Sequence, residues 1–75
     1  MAKPLRYDRH ARRRMKWRKI SEQEVEAVLA KPDIMEKAEH GGINALRRLG
    51  GRSIKVTYKD LGEEMLIISA VDKTD

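Results

Sequence analysis

Apolar residues recur with a helical period in the first third of the chain and with a period of two afterwards. Between Tyr7 and Lys19 no residue breaks a helix, and Ala11 and Met15 lie four positions apart on one face. Because this apolar stripe is narrow, the pattern predicts a first helix over Tyr7–Lys19 that depends on tertiary packing for its stability.

A second helix is predicted directly after the first by its capping signals. Ser21 is placed to cap free N–H groups, and Glu24, three residues later, completes a capping box. Pro32 ends this helix near Ala30. Its apolar face consists of positions three and four apart: Val25, Val28 and Leu29.

After Pro32, apolar and polar residues alternate, which is typical of half-buried strands. Gly50-Gly51 and the polar turn at 60–63 make short connections, and short connections favour antiparallel pairing. The apolar run at the end predicts a central strand buried on both faces. The predicted strands are Ile34–Ala38, Ile43–Leu49, Ile54–Tyr58 and Met65–Val71.

This order of elements predicts an α+β fold in which two N-terminal helices pack on one face of a four-stranded antiparallel sheet. A chain of 75 residues has room for one core, so we expect a single domain over residues 1–75. The chain contains no cysteine, which excludes disulfides and thiolate metal sites. It has neither an apolar run of roughly 20 residues nor a signal-peptide pattern, so we expect a soluble cytoplasmic protein with no membrane contact.

Positive charge is concentrated at the N-terminal end. The chain has 17 basic and 12 acidic residues, and nine of the basic ones but only one acid lie within residues 1–20. Such a distribution favours a polyanion, and nucleic acid is the common polyanion in cytoplasm. An acidic protein partner, or a face that serves only solubility, is the alternative interpretation.

One ridge of the predicted first helix carries candidate chemistry. His10, Arg14 and Arg18 are spaced four apart, and Trp17 lies beside His10. Arginine forks bind phosphate oxygens, and histidine transfers protons near neutral pH. The ridge therefore predicts metal-independent RNA cleavage with His10 and Arg14 as catalytic residues. A structural hydrogen-bonding role for His10 is the alternative.

The predicted RNA surface extends beyond that ridge. The residues predicted to bind nucleic acid are Arg13, Arg14, Trp17, Arg18, Arg48 and Arg52.

The sequence gives no sign of a metal site. Its two histidines, His10 and His40, stand far apart without a set of carboxylates around them, so we expect no metal site and no cofactor.

The run H-A-x-x-R-M-x-x-R-x-I-S-x-x-E-V, from His10 to Val25, resembles the bacterial family known as domain of unknown function 4258. Ile54–Tyr58 and Leu66–Val71 resemble the last strands of that family. Its plan is similar to the small toxins of the RelE and ParE superfamily and of the BrnT group, and this resemblance implies a protein that cleaves or blocks RNA, or poisons gyrase, with an antitoxin as partner. RelE-type toxins usually begin with a strand, whereas this sequence leaves only a short extended piece at Lys3–Arg6.

Two hypotheses follow from these observations. The first is a toxin-like RNA-binding protein or metal-independent endoribonuclease, paired with an acidic antitoxin. The second is a non-enzymatic interaction module, in which the basic helix docks on an acidic partner or a sheet edge forms a homodimer.

Overall fold

Five strands and two helices make up the part of the chain that the structure, a computed structural model, describes, which is residues 3–73. A short 3₁₀ turn at Glu39–Gly41 separates the second and third strands. The elements in chain order are β1 (Leu5–Tyr7), α1 (Arg9–Arg18), α2 (Glu22–Ala30), β2 (Ile34–Lys37), β3 (Ile43–Leu49), β4 (Arg52–Asp60) and β5 (Met65–Asp72).

The sheet is five-stranded and mixed, with the order β1-β5-β4-β3-β2. Strands β2 to β5 pair antiparallel as predicted, while β1 lies parallel to β5 with Leu5 opposite Met65 and Tyr7 opposite Ile67. The prediction of a four-stranded, purely antiparallel sheet is therefore wrong at this edge. Three residues are too few to show a period of two, so β1 has no signal of its own in the sequence.

The first helix is shorter than predicted because Tyr7 belongs to β1. Asp8 then adopts an extended conformation and its carboxylate accepts the His10 N–H at 2.8 Å, which caps α1 at Arg9. At the other end Lys19 is left-handed, with φ of 56°, and its N–H group bonds back to the last turn.

The second helix confirms the predicted capping box. The Glu24 N–H donates to Ser21 Oγ at 3.1 Å, and the Ser21 N–H donates to Glu24 Oε1 at 2.9 Å. Both bonds are local in sequence, so they form wherever this segment becomes helical.

Both helices cover the same face of the sheet and leave the other face open. On β5, Tyr58 pairs with Ile67 but Thr57 pairs with Ser69, so Ile68 is an extra residue that forms a bulge and is 37% exposed. The strand is thus not buried on both faces as predicted. The fully buried core comprises Ala11, Val25, Val28, Ala45, Ile54, Val56, Ile67 and Ala70.

Candidate nucleic-acid interface

Helix α1 presents a dense set of cations to solvent. It has six basic residues and no acidic residue, and only Ala11 and Met15 of the helix are buried. Every other position of the helix is exposed. The basic residues are Arg9, Arg12, Arg13, Arg14, Lys16 and Arg18.

The charges of α1 have no carboxylate partners within residues 3–73. The ion pairs of this region involve the cations of Lys3, Arg6 and Arg52, and none of these belongs to α1. Since like charges on one short helix repel each other, an external anion would lower the energy of this surface.

The outer face of α1 brings four of the predicted site residues together. At about 100° per residue, Arg13, Trp17, His10 and Arg14 fall within about 100° of arc, with Arg13 opposite the buried stripe of Ala11 and Met15 and Arg14 nearest to Ala11. Trp17 is 82% exposed, and His10 is also exposed. An exposed indole between guanidinium groups is suited to stacking on a nucleic-acid base while the arginines bind phosphates.

Arg18 lies at the border between this face and the sheet. Its Nη1 atom donates to the carbonyl oxygen of Ala70 at 3.0 Å, so part of its guanidinium is used to hold α1 against β5. The remaining donors of the planar fork point away from that bond. Arg18 therefore joins the outer face only in part.

Arg52 occupies an internal network and not the outer face of α1. Its guanidinium donates to Glu24 Oε2 at 2.9 Å and to Asp72 Oδ2 at 3.0 Å. It also donates to two carbonyl groups at the end of α1, those of Arg18 and of the C-cap residue Lys19. Two carboxylates thus already balance the charge of this predicted RNA-binding residue.

Arg48 is not brought near α1 either. Its neighbour Arg47 donates from Nη1 to the carbonyl oxygen of Ala27 in α2 at 2.8 Å, so Arg47 faces the helices. Because side chains alternate along a strand, Arg48 extends from the opposite, open face of the sheet. The structure therefore separates Arg48 from His10 and Arg14 by the thickness of the sheet.

Sequence reasoning missed the environment of Tyr7. Its hydroxyl group is buried without a hydrogen-bond partner, and Arg12 lies 5.4 Å from the centre of its ring. Burial, and then the charges of Glu22 and Glu26, raise the pKa of Tyr7 to about 12. The sequence pattern does not predict this arrangement, because it places Tyr7 in the first helix, whereas Tyr7 lies in β1.

An open groove with a volume of about 790 Å³ runs between β1 and α2, and Tyr7, Glu22 and Glu26 contribute to its lining. His10 does not line it.

Among residues 3–73 there is no group of three or more metal-ligating side chains. In the same range, no helix is both long enough and apolar enough to cross a membrane.

These features define a small, basic α+β protein in which two helices cover one face of a sheet and the first of them exposes a cationic surface. The chain belongs to the family described as Domain of unknown function (DUF4258), whose model matches residues 7–72. The resemblance carried by the segment from His10 to Val25 is thereby confirmed. No curated protein and no solved structure matches the chain.

Proposed function

We propose that this protein is a toxin-like RNA-binding protein that binds RNA through the outer face of α1. One observation carries the proposal: the helix has six cations without a carboxylate partner in the described chain, and two of them, Arg13 and Arg14, lie beside the exposed Trp17. The strand β1 before α1 adds support, because RelE-type toxins usually begin with a strand.

The chemistry of the face favours single-stranded RNA. Arg13 and Arg14 are free to contact phosphate oxygens, and Trp17 offers its ring to an unstacked base. A paired duplex keeps its bases stacked on one another, so it offers no free base face to the ring of Trp17. The second helix carries Glu22, Glu24 and Glu26, which does not suit a recognition helix in a DNA groove.

Binding is better supported than cleavage. His10 lies on the same face as Arg14 and is open to solvent, whereas catalysis of proton transfer gains from a site that excludes water. The proposed role of His10 as a proton carrier therefore requires the bound RNA itself to cover the imidazole. An acidic antitoxin would occupy the same cations, so we expect it to compete with RNA.

The test is fluorescence anisotropy with a labelled single-stranded RNA and two charge-matched double variants. Arg13→Gln/Arg14→Gln removes two charges from the outer face of α1, and Lys55→Gln/Lys59→Gln removes two from the open face of the sheet. We expect the first variant to bind at least about tenfold more weakly and the second to stay within about threefold of the wild type. Equal losses in both would show that only net charge matters and would contradict the proposed site.

Cleavage is tested separately, on cellular RNA in the presence of EDTA, with His10→Ala as the matched control. Cleavage by the wild type and none by the folded His10→Ala variant supports a ribonuclease centred on α1. No cleavage by either protein, together with intact RNA binding, leaves a non-enzymatic RNA-binding protein.

A further inference from the structure

The strand β2 forms an edge of the sheet that no other described element covers. It is last in the sheet order, and all four of its residues are exposed. Ile34 and Met35 are adjacent, so they project to opposite faces, and each is 55% exposed. A strand edge with apolar side chains on both faces is a template for pairing with another strand.

The pairing of β2 with β3 decides which backbone groups are free at this edge. The Ala38 N–H donates to the Gly42 carbonyl oxygen at 2.9 Å, in the same register that sets Glu36 opposite Asn44. Hydrogen-bonded and non-bonded pairs alternate along an antiparallel ladder, so Glu36 also directs its backbone groups to β3. The N–H and C=O groups of Met35 and Lys37 therefore point outwards.

We propose that β2 pairs antiparallel with β2 of a second copy of this chain, with the two-fold axis at Met35. The outward N–H and C=O groups of Met35 then bond to those of the second copy's Met35. The two methionine side chains meet on the helix-bearing side, and each Ile34 lies opposite the second copy's Glu36. Two-fold pairing of identical strands is self-complementary and closes after two copies.

Charge selects this register over its neighbours. An axis at Glu36 would set two glutamates directly opposite each other, and an axis at Lys37 would do the same with two lysines. An axis at Ile34 would set Met35 opposite the second copy's Asp33, whose N–H group already donates to the Leu46 carbonyl oxygen at 2.8 Å. The axis at Met35 avoids these conflicts and sets each Glu36 opposite the uncharged Ile34 of the second copy.

This dimer leaves the proposed RNA surface free. Helix α1 packs on β5, and β4 and β3 separate β5 from β2. The inference does not rest on the proposed function, and RNA binding and dimer formation are measured independently. Since the edge has only four residues, the interface is small and the dimer is weak, so it forms at high protein concentration.

Cysteine crosslinking tests the register, because the chain has no cysteine of its own. In the proposed dimer Met35→Cys places two sulfhydryl groups opposite each other, at a Cα separation of about 5.5 Å that a disulfide spans. The matched control Glu36→Cys is also exposed, but it is offset from its copy by two residues. We expect mild oxidation to crosslink Met35→Cys at least about tenfold faster than Glu36→Cys. Equal or faster crosslinking of Glu36→Cys would overturn the proposal.

Sedimentation equilibrium of the cysteine-free wild type tests the dimer without a crosslink. Met35→Pro removes an outward N–H and no bond within the sheet, so we expect the variant to keep its circular dichroism spectrum. We expect it to associate at least about tenfold more weakly than the wild type, because it loses two backbone bonds per dimer. A wild type that stays monomeric at high concentration, or an equal association constant for a folded Met35→Pro, would overturn the proposal.

Discussion

Glu24 and Arg52 form an ion pair in which one carboxylate serves two structures. Glu24 Oε1 accepts the Ser21 N–H within the capping box, while Glu24 Oε2 accepts from Arg52 Nη1 at 2.9 Å. Arg52 extends the connection to Asp72 on β5 and to the carbonyl groups that end α1. The start of α2, the end of α1 and two strands are thus joined through one guanidinium group.

We expect Arg52→Ala to lower the free energy of unfolding by about 2 kcal/mol, because it breaks two partly buried charged hydrogen bonds and uncaps α1. Urea denaturation followed by circular dichroism measures the change. The matched control is Arg48→Ala, whose exposed side chain removes the same charge and should cost about 0.5 kcal/mol or less. Similar losses in the two variants would contradict the role assigned to Arg52.

Tyr7→Phe should stabilise the protein, by about 1 kcal/mol, because it removes a buried hydroxyl group that has no hydrogen-bond partner. The ring that packs beside Arg12 is kept. Thermal unfolding of the variant measures the gain, and Tyr7→Leu, which loses the ring, serves as the destabilised comparison. A lower melting temperature for Tyr7→Phe would show that the hydroxyl group has a partner after all.

Stability should fall in alkaline solution between about pH 10 and pH 12. Burial, followed by the charges of Glu22 and Glu26, raises the pKa of Tyr7 to about 12, above its unfolded value of about 10. The folded state therefore favours the neutral phenol, and this preference is fully present below pH 10 and is lost as the pH rises towards 12. Urea midpoints measured across this range should fall less steeply for Tyr7→Phe. Identical slopes for the two proteins would contradict the raised pKa.

Trp17 should report RNA binding directly, because it is the only tryptophan and is 82% exposed. We expect single-stranded RNA to quench its fluorescence by stacking. Trp17→Tyr should retain most of the affinity and Trp17→Ala should lose about tenfold, with the same salt dependence, since no charge changes. Binding without any change of tryptophan fluorescence would place the RNA elsewhere on the molecule.

Local signals in the sequence are enough to predict that two helices and four antiparallel strands form, although not where α1 begins or which residues of β5 are buried. The Ser21–Glu24 capping box closes within four residues, so it needs no tertiary partner to be recognised. The alternation of Ile54, Val56 and Tyr58 predicts correctly which side of β4 is buried. The sequence also predicts that the basic residues of α1 are exposed, because the apolar stripe of this helix is too narrow to bury more than Ala11 and Met15.

Contacts between residues far apart in the sequence determine the first strand of the sheet, the partners of Arg52 and the bounds of α1. Strand β1 exists because Leu5–Tyr7 pair with residues about sixty positions later, and three residues show no period of their own. The residue type of Arg52 predicts a nucleic-acid contact, but only folding brings the carboxylates of Glu24 and Asp72 to its guanidinium. The first helix is predicted over Tyr7–Lys19, but it spans only Arg9–Arg18 because Tyr7 pairs with β5 as part of β1, and β5 also covers the apolar side of this helix. Hydrogen-bonding capacity and charge can be read from residue types, but which partner satisfies them depends on chain topology, which no short segment encodes.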